Sequence, residues 1–378
     1  MDDRIRRRVS LASERAVDAV GSVQAKARPA VRLGIMFFPS NLESNGSFDY
    51  DRLFEIARLA DEGDFSAVWI PERHFHGFGG ASPNPSVLAA ALAARTQRIG
   101  LRGGSVVLPL HDPIRIAEEW ALVDALSNGR AGVAFGSGWH AVDFALAPER
   151  YTDRRRLTVE GVATVRALWR GESIPRRDGE GHPTDVRIYP RPVQPELPVW
   201  LTATGHPETF RKAGEIGAGV LTSLIGQSLA ELEQKITVYR QARASAGLAA
   251  GDGCVTVMLH THVSRDLSAT GGDARQALSR YLAASMGLQN TALTDAQRRN
   301  RVTQATAAPL IERAVERYFE DSALIGSVDR CMAFLDRLGA TGVDEIACLV
   351  DFGLRPELIA EGLAHLGVVQ ERMAVKTR

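Results

Sequence analysis

The chain has 378 residues, 45% of them hydrophobic, which is enough to bury a large core. Acidic and basic residues balance at 45 each, so no net field draws in nucleic acid or an acidic membrane surface. Cys254, Cys331 and Cys348 are too sparse for a disulfide framework and fit a reducing, cytoplasmic compartment, and no apolar run reaches the roughly 20 residues of a membrane span.

Residues 1–30 read as a tail or short surface helix, with a docking segment for a partner as the sharper alternative. Arg4, Arg6, Arg7 and Arg8 precede a polar, alanine-rich stretch that lacks the apolar centre of a secretory signal. From Val31 to Phe38 a short apolar run predicts a buried strand. Leu53, Ile56, Ala57 and Ala60 then repeat at helical spacing until Gly63. Ala67–Ile70 is the second predicted strand, Ser86–Arg95 a helix, and Ile99–Leu108 the third strand. A helix through Ile114, Ala117, Ala121 and Ala125 closes at Asn128-Gly129 before the fourth strand, Ala131–Phe135.

A helix over about Asp153–Trp169 follows, then a Pro- and Gly-rich excursion with a hairpin over Gly171–Pro198. The remaining strands are Val199–Ala203, Gly219–Thr222, Val255–Val263 and Glu345–Val350, with helices between them and a closing helix over Pro356–Leu366. Eight strands alternating with helices predict a single parallel (β/α)8 barrel over residues 31–370, with insertions after strands four and seven and a C-terminal tail over 371–378. Barrel enzymes build their sites at the C-terminal ends of the strands. The residues just after each strand are therefore the candidates for chemistry.

After strand two, Glu72, Arg73, His74 and His76 crowd a carboxylate, a guanidinium and two imidazoles together. His74 suits proton transfer near neutral pH, and an ion-paired loop that only orders the rim is the plainer reading. In strand three, Gly103 and Gly104 precede Ser105. Glycines inside a buried strand suit either a flat ligand against the backbone or a bulge needed for closure. After strand four stand Gly136, Ser137, Gly138, Trp139 and His140. After strand five, Thr204, Gly205 and His206 lead into a helix whose exposed amides suit a phosphate, ordinary capping being the alternative. His260, His262 and Asp351 after strands seven and eight raise a metal-dependent hydrolase barrel as a competing class. No dinucleotide or nucleoside-triphosphate glycine loop of the usual types is present.

Several stretches together resemble the bacterial luciferase-like, flavin-dependent monooxygenases. They are Trp69-Ile70-Pro71-Glu72-Arg73-His74-Phe75, Ser105-Val106-Val107-Leu108-Pro109-Leu110-His111-Asp112-Pro113, and Asp124-Ala125-Leu126-Ser127-Asn128-Gly129-Arg130. Gly138-Trp139-His140, Arg191-Pro192-Val193-Gln194-Pro195, Trp200-Leu201-Thr202 and the run Ile346–Gly353 are similar to the branch associated with natural-product assembly lines. The resemblance runs from about Val31 to Leu366.

It implies reduced FMN and O2 acting on an organic substrate, a polyketide or amino-acid-derived intermediate that is free or held on a carrier protein. It also implies a separate flavin reductase or flavin pool, and a homodimer. A cis peptide is expected at Gly104–Ser105, with Ser105 and Val106 against the flavin ring. Met36, Phe37, Ser137 and Trp139 are expected around the ring, and Tyr151, Thr204, Gly205 and His206 at the phosphate. The family's Glu-His-His run is altered here. Arg73 stands where the catalytic base is expected, and arginine is no base, though it could hold a peroxide, carboxylate or phosphate oxygen. His74 is then the expected proton-handling residue, with Glu72 and Arg73 as its setting. Ser264–Leu324 is expected to act as a lid or substrate wall. A flavin- or deazaflavin-dependent dehydrogenase on the same barrel is the main alternative.

Overall fold

The computed structural model describes residues 31–38, 48–265, 267–291 and 304–376. The N-terminal segment 1–30 and part of the expected lid, 292–303, lie outside the described residues.

Eight parallel strands close a barrel. In chain order they are β1 (Arg32–Met36), β2 (Ala67–Ile70), β3 (Gly100–Val107), β4 (Ala131–Gly136), β7 (Val199–Thr202), β8 (Gly219–Ser223), β9 (Val255–Val263) and β11 (Glu345–Leu349). Each pairs with the next, and β11 returns to β1 with Arg32 opposite Glu345 and Met36 opposite Leu349. The strands read as unbroken apolar runs because both faces are covered: Ala67–Ile70 and Glu345–Leu349 are buried throughout.

Between β4 and β7 come α4 (Arg154–Arg170) and an antiparallel hairpin, β5 (Ile174–Arg177) with β6 (Pro183–Val186). Between β9 and β11 come α7 (Leu267–Thr291), α8 (Gln304–Arg317), the short strand β10 (Leu324–Gly326) on the end of β9, and α9 (Val328–Thr341). The remaining helices are α1 (Tyr50–Glu62), α2 (Pro85–Ala93), α3 (Pro113–Ser127), α5 (Pro207–Glu215), α6 (Leu229–Ser245) and α10 (Pro356–Lys376). The last of these continues past the boundary expected at residue 370, so residues 371–376 are helical rather than a tail. Polar caps set the helix starts: Asn84 accepts from Ser86 N and Val87 N, and Ser228 and Glu231 form a reciprocal capping box.

Contacts across the barrel interior join strands that are not neighbours. The rings of Trp69 and Trp200 meet edge to face at 5.1 Å, and Arg102 lies between them, 4.9 and 4.7 Å from their centroids. Glu345 receives Arg102 Nη1 at 2.5 Å and Trp69 Nε1 at 3.2 Å. This pair, with the carboxylate fully buried and the guanidinium part-buried, fills the barrel interior below the strand exits.

Two of the stretches that carried the resemblance are scaffolding. The Asp124 carboxylate accepts Val193 N at 2.7 Å, Gln194 N at 2.9 Å and Gln194 Nε2 at 2.6 Å, tying α3 to the segment that returns the chain to β7. Arg130 donates to the carbonyls of Ile99, Thr96 and Ser127 at 2.7, 2.9 and 2.8 Å, holding the loops before β3 and β4 together.

Candidate active site

The exit of β2 is pinned by two backbone bonds, Glu72 N to Ser105 O at 3.1 Å and Arg73 N to Ser82 O at 3.2 Å. They turn the Glu72 side chain into the protein. Its Oε2 accepts Val107 N at 2.7 Å, and its Oε1 meets His74 Nε2 at 2.8 Å and His111 Nε2 at 2.6 Å. Burial pushes the Glu72 carboxyl up, but the bonds from His111 and His74 outweigh it, and the group sits below its ordinary value. Burial likewise pulls His111 down, and Glu72 more than reverses this, leaving it raised. An ionised carboxylate only accepts, so both Nε2 atoms carry protons. Among the described residues, Nδ1 of His74 has no hydrogen-bond partner.

His111 was quoted in the sequence only as part of a motif, not as a site residue. It joins the site because the turn Leu108–Leu110 after β3 folds back beside Glu72. Glu72, His74 and His111 are also the one group among the described residues with metal-ligand atoms close together, all within 4.8 Å. Their short contacts are accounted for by protons on the two imidazoles. His260, His262 and Asp351 do not assemble with them into a ligand set. His260 is enclosed by Tyr281, Tyr318 and Phe352 at 4.5, 5.3 and 5.4 Å between ring centroids, and burial pulls its imidazole down to about 3.

Arg73 is buried. Its Nη1 pairs with Asp143 Oδ2 at 3.3 Å, and the Trp139 ring lies 5.0 Å from the guanidinium carbon. Asp143 also meets His140 Nδ1 at 3.3 Å. Burial lowers the guanidinium from its ordinary value, against the pull of Asp143. Arg73, His74, Phe75 and His76 line a cavity of about 660 Å³.

The third strand carries the cis peptide expected at Gly104–Ser105. The two glycines before it do not make room for a ligand. A Cβ on Gly103 would stand 2.9 Å from Val106 Cγ2 and 3.0 Å from Trp120 Cζ2, and one on Gly104 2.8 Å from Trp69 Cε3. Side chains occupy that space, and the register of β3 against β4 shifts between Gly104 and Val106, as the bulge reading requires. Beyond them, a Cβ on Gly136 would lie 3.1 Å from Ser105 Oγ and 3.8 Å from Thr202 Cβ. Among the described residues, the buried Thr202 Oγ1 has no hydrogen-bond partner. Three small residues at the ends of β3, β4 and β7 thus form one wall.

Two residues past Thr202 the chain reaches Thr204, Gly205 and His206 at the start of α5. Gly205 has φ 102°, and the exposed His206 caps the helix, its Nδ1 accepting Glu208 N at 3.3 Å. A Cβ on Gly205 would stand 3.5 Å from Lys235 Nζ. Lys235, which donates to Gln227 Oε1 at 2.8 Å, is a cation at this turn that the sequence did not single out.

The luciferase-like monooxygenase model matches residues 31–345. The chain belongs to the luciferase-like monooxygenase family. It is 28% identical over 197 residues to the oxygenase component of a flavin-dependent trigonelline monooxygenase of Acinetobacter baylyi, covering 51% of this chain and 54% of that protein. The match thus spans about half the length of that relative. The chain is 28% identical over 298 residues, 77% of each protein, to 4-hydroxyprotoasukamycin monooxygenase of Streptomyces nodosus subsp. asukaensis. The monooxygenase RslO1 of Streptomyces bottropensis superposes with a TM-score of 0.75 at 25% identity, covering 91% of this chain and 99% of that one. An F420-dependent glucose-6-phosphate dehydrogenase of Amycolatopsis mediterranei is 33% identical over 189 residues, 47% of this chain and 55% of that protein. The family therefore includes relatives named for oxygenation and for hydride transfer.

Within this luciferase-like barrel the expected site residues fall into three groups. Glu72 meets His74 and His111, whereas the side chain of Arg73 turns to Asp143. Met36 and Phe37 are buried at the exit of β1, Val106 is buried beside Ser105, and Ser137 follows Gly136 on the wall. Trp139 is 48% exposed and stands over Arg73. Thr204, Gly205 and His206 share one turn. The contacts of Tyr151 are with Phe144, 5.0 Å between rings, and with Arg154, 4.2 Å above its ring. From the expected lid, Tyr281 on α7 reaches Phe38 and Phe78, with centroids at 6.2 and 4.9 Å, so that part of the segment covers the β1 exit. No helix among the described residues is long and apolar enough to cross a membrane.

Proposed function

We propose that the protein is an FMN-dependent monooxygenase that uses reduced flavin and O2 to oxygenate an organic natural-product intermediate, polyketide or amino-acid-derived. The observation that carries this reading is the continuity between the small-residue wall and the turn beside Lys235. From Thr202 to Gly205 the chain spans at most about 10 Å. One side offers a flat surface with an unpartnered hydroxyl, and the other offers amides and a cation. A flat, hydrogen-bonding ring with a phosphorylated side chain fits both ends. Ser105, Val106, Ser137 and Thr202 would hold the ring, with Met36 and Phe37 beside it. Thr204, Gly205, His206 and Lys235 would hold the phosphate; Tyr151 joins that end on the family resemblance alone.

When bound, reduced FMN supplies the electrons that activate O2. The protein's own part is positional and protonic. Glu72 holds the proton on His74 Nε2 and thereby leaves Nδ1 to take up or return a proton at the cavity. Phe37, Val106 and the Tyr281 cluster keep water from the strand exits. The names of the three monooxygenases the chain resembles support the reaction class, and that of 4-hydroxyprotoasukamycin monooxygenase supports the natural-product substrate. The description of one as an oxygenase component supports a separate reductase. Exposed Val87 on α2 and Leu122 and Leu126 on α3 support a homodimer.

The test is oxygen uptake by purified protein given chemically reduced FMN, with FMN binding followed by thermal shift. Stabilisation by FMN and flavin-dependent uptake are expected, and His74→Asn should slow substrate oxygenation while FMN still binds. Stabilisation by F420 alone, with hydride transfer and no oxygen uptake, would replace this reading with that of the F420-dependent relative.

A further inference from the structure

Arg73 is poorly satisfied for a buried arginine. Only 4% of its side chain is exposed, and among the described residues its one charged partner is Asp143, through Nη1 at 3.3 Å. Nε and Nη2 are both buried and, among the described residues, both without a hydrogen-bond partner. These two nitrogens share an edge. Nη1 lies on the Cδ side of the guanidinium, so Nε–H and Nη2–H point the same way, along the edge that a carboxylate engages with two parallel bonds. The carboxylate next in sequence does not fill that edge, because Glu72 is committed to Val107 N, His74 and His111. Asp143 is shared with His140 Nδ1 at 3.3 Å. A buried fork left empty loses stability for the fold, and Arg73 lines the cavity together with His74.

We propose that Arg73 is the substrate-recognition residue of this site, and that the substrate it takes is an organic acid whose carboxylate seats on the free Nε–Nη2 edge. The proposal rests on the oxygenase reading above and names the substrate class for it. A carboxylate suits this edge better than a phosphate. It is planar with two coplanar oxygens, and it brings one negative charge to a guanidinium whose own charge Asp143 already partly offsets. Both nitrogens are sealed from solvent, so the acid reaches them by displacing the Trp139 indole, which stands against the guanidinium and is itself 48% exposed. Trp139 follows Gly138, whose φ of 73° sets the turn that brings the indole there. Entry of the acid shifts that ring, so its fluorescence reports binding.

The experiment titrates flavin-free protein with benzoate and, in parallel, with benzamide, the same ring without the charge. Benzoate is expected to quench fluorescence saturably in the millimolar range, and benzamide to bind about tenfold more weakly. Arg73→Lys should weaken benzoate by about tenfold, because a point charge does not replace the fork. Arg73→Gln alone strands the Asp143 charge, so Arg73→Gln/Asp143→Asn is the variant that removes the fork and keeps the fold. It should lose the preference for benzoate while retaining a cooperative melt. Trp139→Phe should abolish the quench. Equal binding of the two probes, no saturable binding, unchanged benzoate binding in the double variant, or a quench that survives Trp139→Phe would each overturn the proposal. The titration uses neither flavin nor oxygen, so it succeeds or fails separately from the oxygen-uptake test of the enzyme class.

Discussion

Replacing Glu72 by Gln should destabilise the protein in a pH-dependent way. The carboxylate accepts three donors, at 2.7 Å from Val107 N, 2.8 Å from His74 Nε2 and 2.6 Å from His111 Nε2. The amide keeps one acceptor. If that oxygen serves Val107 N, the amide NH2 faces two imidazole N–H groups, and at least one ring must change tautomer or move. Hydrogen bonds to a charged partner are worth about 1.5–3 kcal/mol each, so losing the two from histidine costs roughly 3–6 kcal/mol near pH 6. With an unfolding entropy of about 2.1 cal/mol/K per residue, each kcal/mol moves the melting temperature of a 378-residue chain by about 1.3 °C, which predicts a drop of roughly 4–8 °C.

The pH dependence follows from the two shifts. Glu72 is lowered from 4.5, so its contribution is present above that value and is lost as pH falls through the lower folded value. His111 is raised from 6.5, so its contribution is complete below 6.5 and is lost as pH rises through the higher folded value. The gap between wild type and Glu72→Gln should therefore be widest between about pH 5 and pH 6.5, and should narrow toward pH 9. Calorimetric melts across that range measure it. A gap that is constant with pH would show that the carboxylate and His111 are not coupled as the geometry requires.

Three further outcomes follow from the packing and the charge layout. Gly104→Ala should cost about 1–3 kcal/mol, since its Cβ would meet Trp69 Cε3 at 2.8 Å; an unshifted urea midpoint would mean the indole gives way freely. Glu345→Gln strands the Arg102 guanidinium between Trp69 and Trp200, at a cost of about 3–5 kcal/mol, and Glu345→Met/Arg102→Met should recover most of it. A double variant melting no higher than the single would refute this account of the interior. Lys235→Ala should weaken FMN by about tenfold and leave riboflavin, which has no phosphate, unchanged. Equal effects on both flavins in equilibrium binding would place the phosphate elsewhere.

The eight strands were legible because each is a short apolar run closed by a turn, and the barrel rule then pointed to their exits. That was enough to bring Glu72, Arg73 and His74 to one place and Thr204, Gly205 and His206 to another. It was not enough for His111, which lies 39 residues from Glu72 and meets it only because the turn after β3 folds back. Lys235 was hidden for a similar reason. It sits on the surface of a helix with ordinary polar spacing, and only the packing of α6 beside α5 brings it to Gly205.

The glycines of β3 show a different limit. A strand glycine signals that something stands where a Cβ would be, but the signal is the same whether that object is a ligand or a side chain. Here it is Val106 and Trp120 at Gly103 and Trp69 at Gly104. Trp69 in turn donates to Glu345, which holds Arg102. The glycine pair is thus the upper edge of an indole and ion-pair stack filling the barrel, and the ligand-facing surface begins one residue later, at Ser105. Residues that look alike in the sequence therefore divide at that point. Gly103 and Gly104 answer to the core below them, whereas Ser105, Gly136 and Thr202 form a wall with a buried hydroxyl that no group among the described residues satisfies. An unsatisfied polar atom beside small residues marks the place for a bound molecule better than a glycine does, because the fold itself gains nothing by leaving it unpaired.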